Sequence, residues 1–121
     1  MDYRKYLTEN LTPTETAILE TLILQNENHL KKLREDKSVH KKDLILYLRL
    51  HYGIHIDERT LREKIRLMFQ KGIPVGGHSG KAGYYVLEEE EIQRIINEDR
   101  SRCRCLLDHA HSGDKMLSRR R

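Results

Sequence analysis

The sequence has no tryptophan, one phenylalanine, two prolines and two cysteines among its 121 residues. Cys103 and Cys105 are one residue apart and cannot cross-link distant parts of a fold, which excludes a secreted, disulfide-stabilised domain. No run of apolar residues approaches the ~18 that span a membrane, and the first residues lack the apolar segment of a secretory signal. We therefore expect a cytoplasmic protein with no membrane partner and a core of leucine and isoleucine.

Charge, by contrast, is plentiful and unevenly distributed along the chain. Residues 1–30 contain 2 basic and 5 acidic residues, whereas residues 31–81 contain 13 basic and 6 acidic residues. Residues 82–99 contain 1 basic and 6 acidic residues, and residues 100–121 contain 7 and 2. A basic middle between acidic segments is typical of a protein with one surface that contacts a polyanion. Charge also clusters by chance in a chain this polar, so this pattern alone does not decide between nucleic-acid binding and an ordinary solvated surface.

The first predicted helix covers residues 12–34, after an N-terminal arm over residues 1–11. Because the polar segment from Gln25 to His29 weakens its middle, it is either one long helix or one helix plus an extra turn. Thr12 is the expected N-cap, Pro13 the first helical residue and Glu15 the acid of a capping box. Leucine and isoleucine then recur at helical spacing and predict a buried stripe. The stripe consists of Leu19, Leu22, Ile23, Leu30 and Leu33.

The second predicted helix, over residues 41–51, is apolar nearly all round, so we expect burial on two sides. Gly53 is the expected left-handed residue that ends it. Asp57 is then the N-cap of a third helix over residues 57–71. Its buried face comprises Leu61, Ile65, Met68 and Phe69, with Arg59, Glu63, Arg66 and Gln70 opposite and Thr60 and Arg62 on the flanks.

A hairpin and a last helix complete the predicted domain, which covers residues 12–108. The hairpin spans residues 73–87, with a glycine-rich tip between an extended segment after Pro74 and a strand of aromatic and β-branched residues. The last helix covers residues 88–107, and a polar tail follows over residues 109–121. Its expected inward stripe is Ile92, Ile95, Ile96, Cys103 and Leu106.

This order of elements resembles the winged helix-turn-helix modules of the biotin-repressor type over residues 39–87. The segments that carry the resemblance are Lys71-Gly72-Ile73-Pro74-Val75 and Gly83-Tyr84-Tyr85-Val86-Leu87. Similar small proteins are common in phages and mobile elements of Gram-positive bacteria. The resemblance implies a mainly α fold with a small β-hairpin, an α+β winged helix-turn-helix with extended first and last helices, in the bacterial cytoplasm.

The resemblance also implies that helix 57–71 reads the major groove of double-stranded DNA and that the 76–83 wing contacts the flanking backbone. Arginine bonds guanine edges or phosphate, threonine contacts the thymine methyl group, and glutamate accepts from cytosine. The implied groove residues are Arg59, Thr60, Arg62, Glu63 and Arg66; the implied backbone contacts are Lys41, Lys42 and Lys64, with His78, Ser79 and Lys81 in the wing. The alternative is that arginine and glutamate one turn apart form an ordinary solvated helix face.

Enzymatic and metal sites are not indicated. The chain has no GxSxG or HExxH motif, so we expect no enzyme and no cofactor. Cys103, Cys105, His109 and His111 lie within nine residues. On a helix only Cys105 and His109 of these share a face, so we expect no metal site, with Cys103 instead a small buried apolar residue.

Two classes of function therefore remain open. The first is a DNA-binding transcriptional regulator or replication factor. The second is a protein-interaction module that inhibits or recruits a nucleic-acid-handling enzyme, for example a phage anti-defence protein. Leu46 and Leu50, or the long last helix, also offer a homodimer contact.

Overall fold

The computed structural model describes residues 2–33, 36–77 and 83–120. These residues are mainly helical with a small three-stranded antiparallel sheet, which confirms the α+β class. The elements are a 3-10 helix (Tyr3–Tyr6), α1 (Pro13–Leu30), β1 (Val39–His40), α2 (Lys41–Tyr52), α3 (Glu58–Gln70), β2 (Val75–Gly77), β3 (Gly83–Val86) and α4 (Glu89–Arg120). None of the helices in this part of the chain combines the length and apolar character that crossing a membrane requires.

The chain divides into two compact units, one that ends at Glu88 and one that begins at Glu89. The second unit is α4. The polar segment predicted as a tail over 109–121 is helical as far as Arg120, and no proline interrupts it.

The start of α1 forms as predicted. The Thr12 hydroxyl accepts a hydrogen bond from the Glu15 backbone N–H at 3.2 Å, and the Glu15 carboxylate accepts one from the Thr12 N–H at 3.2 Å. This capping box satisfies two N–H groups that the helix itself cannot satisfy.

The end of α1 lies at Leu30, four residues before the predicted end. The Leu33 N–H donates to the Asn28 carbonyl at 2.9 Å and the Lys32 N–H to the His29 carbonyl at 3.0 Å. These two bonds close the helix with Lys32 in the left-handed region, at φ 61°. Leu30 is the last residue of α1 and Leu33 follows the helix; they are 68% and 72% exposed, so their predicted burial is wrong.

We expect Lys32→Gly to stabilise the protein, because glycine adopts positive φ without the steric cost that a lysine Cβ carries. The gain in the free energy of unfolding should be about 1 kcal/mol, measured by urea denaturation. Lys31→Gly is the matched control: Lys31 has φ −81°, so the same substitution there should not stabilise.

The core of the first unit forms where α1, α2 and α3 pack on the sheet. Its centre is fully buried and lies mostly on the predicted faces: Ile18, Leu19, Leu22, Leu44, Leu48, Leu61, Met68, Val75 and Val86. Helix α2 is buried on one side only, since Leu46 and Leu50 are 43% and 67% exposed. The expectation that α2 is covered on two sides is wrong, although its apolar run is correctly placed in a helix.

The predicted hairpin is present, and it gains a third strand. Strand β3 is central: β2 pairs with it in the register Val75 to Val86, and β1 pairs with it through Val39 to Tyr84. The β1 strand has two residues, too few to show an alternating pattern, so the sequence carried no signal for it. Through β1, the start of α2 is tied directly to the hairpin.

The N-terminal arm is part of the folded unit. The side chain of Tyr3 is buried, and its hydroxyl donates to the Leu87 carbonyl at 2.9 Å. Arg4 also pairs with Glu27 of α1, at 2.7 Å between Nη2 and Oε1. The arm thus connects α1 to the chain just after β3.

We expect Tyr3→Phe to lower the free energy of unfolding by about 1–2 kcal/mol, because it leaves the buried Leu87 carbonyl without its donor. Chemical denaturation measures this. Tyr6→Phe is the control, since Tyr6 is half-buried and the same loss of a hydroxyl should have little effect. Equal losses in the two variants would contradict a specific role for the Tyr3 hydroxyl.

Candidate nucleic-acid interface

Helix α3 is held in place by a short connection from α2. Gly53 ends α2 in the left-handed region at φ 66°, as predicted. Ile54 and Ile56 pack partly buried against the core. The Asp57 carboxylate then accepts a hydrogen bond from the Thr60 N–H at 2.7 Å, so α3 begins at Glu58. Hydrogen bonding to the Thr60 N–H lowers the pKa of Asp57 and keeps this cap ionised.

The two sides of α3 differ sharply in burial. Leu61, Ile65 and Met68 are buried in the core. We define the α3 outer face as the five exposed residues opposite them, Arg59, Thr60, Arg62, Glu63 and Arg66. Four of these, with the half-buried Lys64, line one shallow surface depression: Arg59, Thr60, Arg62 and Glu63. All the predicted groove residues are therefore brought together on one surface.

One carboxylate lies within this cationic surface. The Arg66 guanidinium donates to Glu63 through Nε at 3.2 Å and through Nη2. This hydrogen bond lowers the pKa of Glu63, and the charges of Arg66, Arg59 and Arg62 lower it further. The same pair raises the pKa of Arg66. Arg66 is thus partly neutralised, which its sequence position did not reveal.

Arg59 and Arg62 are different from Arg66. Neither forms an ion pair within residues 2–33, 36–77 and 83–120. Both side chains are exposed. They therefore present two guanidinium groups whose donors are available to a phosphate or a base edge.

The lysines predicted to contact the DNA backbone lie around the same helix, and they differ in whether their charges are paired. The Lys41 ammonium is 3.1 Å from the Glu58 carboxylate in the first turn of α3, so its charge is already paired. Lys42 is exposed and Lys64 half-buried, and neither has an ion pair with a residue that the structure describes. Sequence reasoning missed Glu58 as a partner, because the pair spans two helices and leaves no local spacing signal.

His78, Ser79 and Lys81, the predicted wing contacts, lie outside the described residues. The base of the hairpin explains two of its glycines. A Cβ at Gly77 would lie 2.8 Å from the Gly83 carbonyl oxygen, and one at Gly83 would lie 3.2 Å from Ser38. A side chain at Gly77 would therefore clash with the backbone of the neighbouring strand, whereas one at Gly83 would require Ser38 and Val39 to shift by a few tenths of an ångström.

The cysteine and histidine cluster lies on α4. Cys103 and Cys105 are exposed, so the predicted burial of Cys103 is wrong. Leu106, also predicted inward, is 70% exposed, and Ile92, Ile95 and Ile96 are half-buried. Among the described residues no group of three or more His, Cys, Asp or Glu side chains is arranged to hold a metal ion.

The chain was compared with protein-family models, with curated proteins and with solved structures, and none of the three comparisons found a match.

Proposed function

We propose that this protein is a winged helix-turn-helix protein that binds double-stranded DNA, as a transcriptional regulator or replication-associated factor without catalytic activity. Helix α3 enters the major groove, and the segment over residues 76–83 contacts the adjacent backbone. The order of elements supports this. Helices α2 and α3 are joined by a short turn, and the β2–β3 hairpin follows. Strand β3 also pairs with β1, which comes directly before α2.

The observation that carries the proposal is a pair of exposed arginines, Arg59 and Arg62, on a helix whose other side is buried. Neither arginine has an ion pair with a residue that the structure describes. In the first turns of α3 they occupy the positions that reach base edges when a helix enters the groove. Burial of Leu61 and Ile65 fixes their direction, so the two guanidinium groups are presented together.

Glu63 gives the α3 outer face a means of discrimination. It orients Arg66 by the hydrogen bonds between them, and as an acceptor it suits the amino group of cytosine. It also repels phosphate and so weakens binding to a misplaced backbone. In this proposal Arg59 and Arg62 supply affinity, and the Glu63–Arg66 pair supplies selectivity.

We expect Glu63→Gln to strengthen binding to random-sequence duplex and to make its salt dependence steeper by about one unit of log–log slope. The reason is that one negative charge is removed and Arg66 is freed for phosphate. Fluorescence anisotropy with a labelled duplex pool measures both quantities. The control is Glu98→Gln, the same change at an exposed site on α4, where no steepening is expected.

The direct test of the proposal is a titration of random duplex DNA at several salt concentrations. We expect binding at about 50 mM salt whose affinity falls linearly on a log–log plot. Single-stranded DNA of the same length should bind more weakly, since it offers no major groove. Absence of duplex binding at low salt would refute the proposal.

A second candidate function is a protein-interaction module that inhibits or recruits a nucleic-acid-handling enzyme. The observation that favours it is the exposure of Leu46 and Leu50, which lie one turn apart on α2. The Leu46→Ser/Leu50→Ser variant separates the two candidates. If it binds duplex DNA like the wild type, DNA binding does not use α2. The second function is supported by a different result. In that case the wild type does not bind duplex DNA but does bind a purified nucleic-acid-handling enzyme, and the variant binds neither.

A further inference from the structure

Helix α4 carries a repeat of apolar residues along one of its faces. Ile96, Cys103, Ala110 and Leu117 recur every seven residues. Ile92, Leu106 and Gly113 follow the same repeat four residues earlier, with Asp99 as its one charged member. These eight positions form one face of the helix, which we call the α4 stripe.

The stripe is open to solvent over most of its length. Leu106 and Leu117 are 70% and 57% exposed, and Ile92 and Ile96 are half-buried. A helix gains most of its stability in proteins by packing its apolar face. A seven-residue apolar repeat is the pattern of two helices that wind around each other.

The charges of α4 indicate what lies against the stripe. Residues 89–99 contain five acidic residues and one basic residue, whereas residues 100–120 contain six basic and two acidic residues. The helix dipole favours acids in the first turn and bases in the last turn only. It therefore does not account for Glu98, Asp99 and Lys115, which lie outside those turns.

A second copy of α4 complements this distribution in one orientation. In an antiparallel pair residues 89–99 of each helix lie beside residues 110–120 of the other, which contain three basic residues and one acidic residue. A parallel pair instead places like charges together. The sizes of the side chains that face each other also fit the antiparallel orientation. With the two-fold axis between Arg104 and Cys105, Ile92 lies opposite Leu117 and Cys103 opposite Leu106.

Gly113 fits the same pairing. Glycine in the interior of an exposed helix costs about 1 kcal/mol relative to alanine. A Cβ at Gly113 would meet nothing within 4 Å in the described part of the single chain, so nothing there requires glycine. In the antiparallel pair Gly113 lies opposite Ile96, and its missing side chain leaves room for the isoleucine.

We propose that two copies of this chain associate through the α4 stripe as an antiparallel helix pair. This proposal does not depend on the proposed function, because the α4 stripe contains none of the residues of the α3 outer face. For a DNA-binding protein, however, such a dimer would carry two α3 helices and bind two half-sites.

The first test is the mass of the full-length protein in sedimentation equilibrium. We expect twice the 14.4 kDa of one chain. Leu106→Ser should raise the dissociation constant of the dimer at least about 100-fold, since each dimer loses two leucine side chains from the stripe. Leu50→Ser is the matched control, because Leu50 is 67% exposed on α2. A monomeric wild type, or equal effects of the two variants, would overturn the proposal.

The second test measures orientation by electron-spin distances between identical labels on the two copies. Cys103→Ala and Cys105→Ala remove the native thiols. A spin label is then attached to the single cysteine introduced by Arg94→Cys or by Ser101→Cys; neither position belongs to the α4 stripe. In an antiparallel pair the axial separation falls from about 32 Å at residue 94 to about 11 Å at residue 101. Equal distances at the two positions mean a parallel pair and would overturn the proposal.

Discussion

The Arg59→Ala/Arg62→Ala variant is expected to lose on the order of 100-fold in affinity for duplex DNA, equivalent to about 3 kcal/mol. The two side chains are exposed and form no ion pair with a described residue, so their substitution leaves no protein partner unsatisfied. Neither side chain packs in the core, and the free energy of unfolding should change by less than about 0.5 kcal/mol. The loss is therefore a loss of binding and not of folding.

A matched variant controls for charge. Arg94→Ala/Arg104→Ala removes the same two positive charges from exposed positions on α4. It should weaken binding only slightly, through the smaller overall charge, and leave the salt slope nearly unchanged. If the two double variants lose affinity equally, binding depends on net charge and the α3 outer face has no special role.

The second large effect is expected at Glu15, which joins the start of α1 to the end of α3. Its side chain is 2% exposed and lies 2.9 and 3.0 Å from the Lys71 ammonium through its two oxygens. Burial raises the pKa of the Glu15 carboxyl, but hydrogen bonds from Lys71 and Thr12 outweigh burial and bring it below its ordinary value of 4.5. The ionised form is thus favoured by folding.

The direction of the pH dependence follows from this lowered pKa. Glu15 contributes stability above about pH 4.5, where the unfolded chain is also ionised, and the contribution is lost as pH falls through the lower folded pKa. Glu15→Gln should therefore cost about 1–2 kcal/mol near neutral pH, a modest figure because Lys71 is 46% exposed and solvent screens the pair. The cost should shrink as the solution is acidified below pH 4.5.

Urea denaturation of the wild type and Glu15→Gln across this acidic range measures the difference. Glu9→Gln is the control, since Glu9 is exposed and should show no such convergence. A difference between wild type and Glu15→Gln that stays constant with pH would show that the carboxylate charge is not the source of the stability.

The parts of the fold that sequence predicts well are those with a local cause. The caps at Thr12, Gly53 and Asp57 form as expected because each depends on residues within five positions along the chain. The buried face of α3 is also local, since helical periodicity alone places Leu61, Ile65 and Met68 on one side.

The parts that were missed depend on distant residues or on unusual backbone. Helix α1 ends with a lysine at positive φ, where glycine is the usual signal. Strand β1 exists only because β3, more than forty residues later, accepts it as a neighbour. Leu46 and Leu106 have the composition of core residues but lie on uncovered helix faces, and composition does not indicate which faces find a partner.

The candidate site shows the same division. Periodicity places the arginines of α3 on one face, but it does not distinguish Arg66, which pairs with Glu63, from Arg59 and Arg62. Likewise the pairing of Lys41 with Glu58 requires that the starts of α2 and α3 lie close together. The sequence identifies the charged residues, whereas the fold determines which of them are left without an ion-pair partner.

The measurement that tests the central claim most directly is a map of backbone amide shifts by two-dimensional NMR during titration with duplex DNA at low salt. We predict that the amides of residues 58–66 in α3 move first and furthest, with smaller changes at the base of the hairpin. Changes confined to α4 or to the exposed leucines of α2, with α3 unmoved, would contradict the claim that the α3 outer face is the surface that binds DNA.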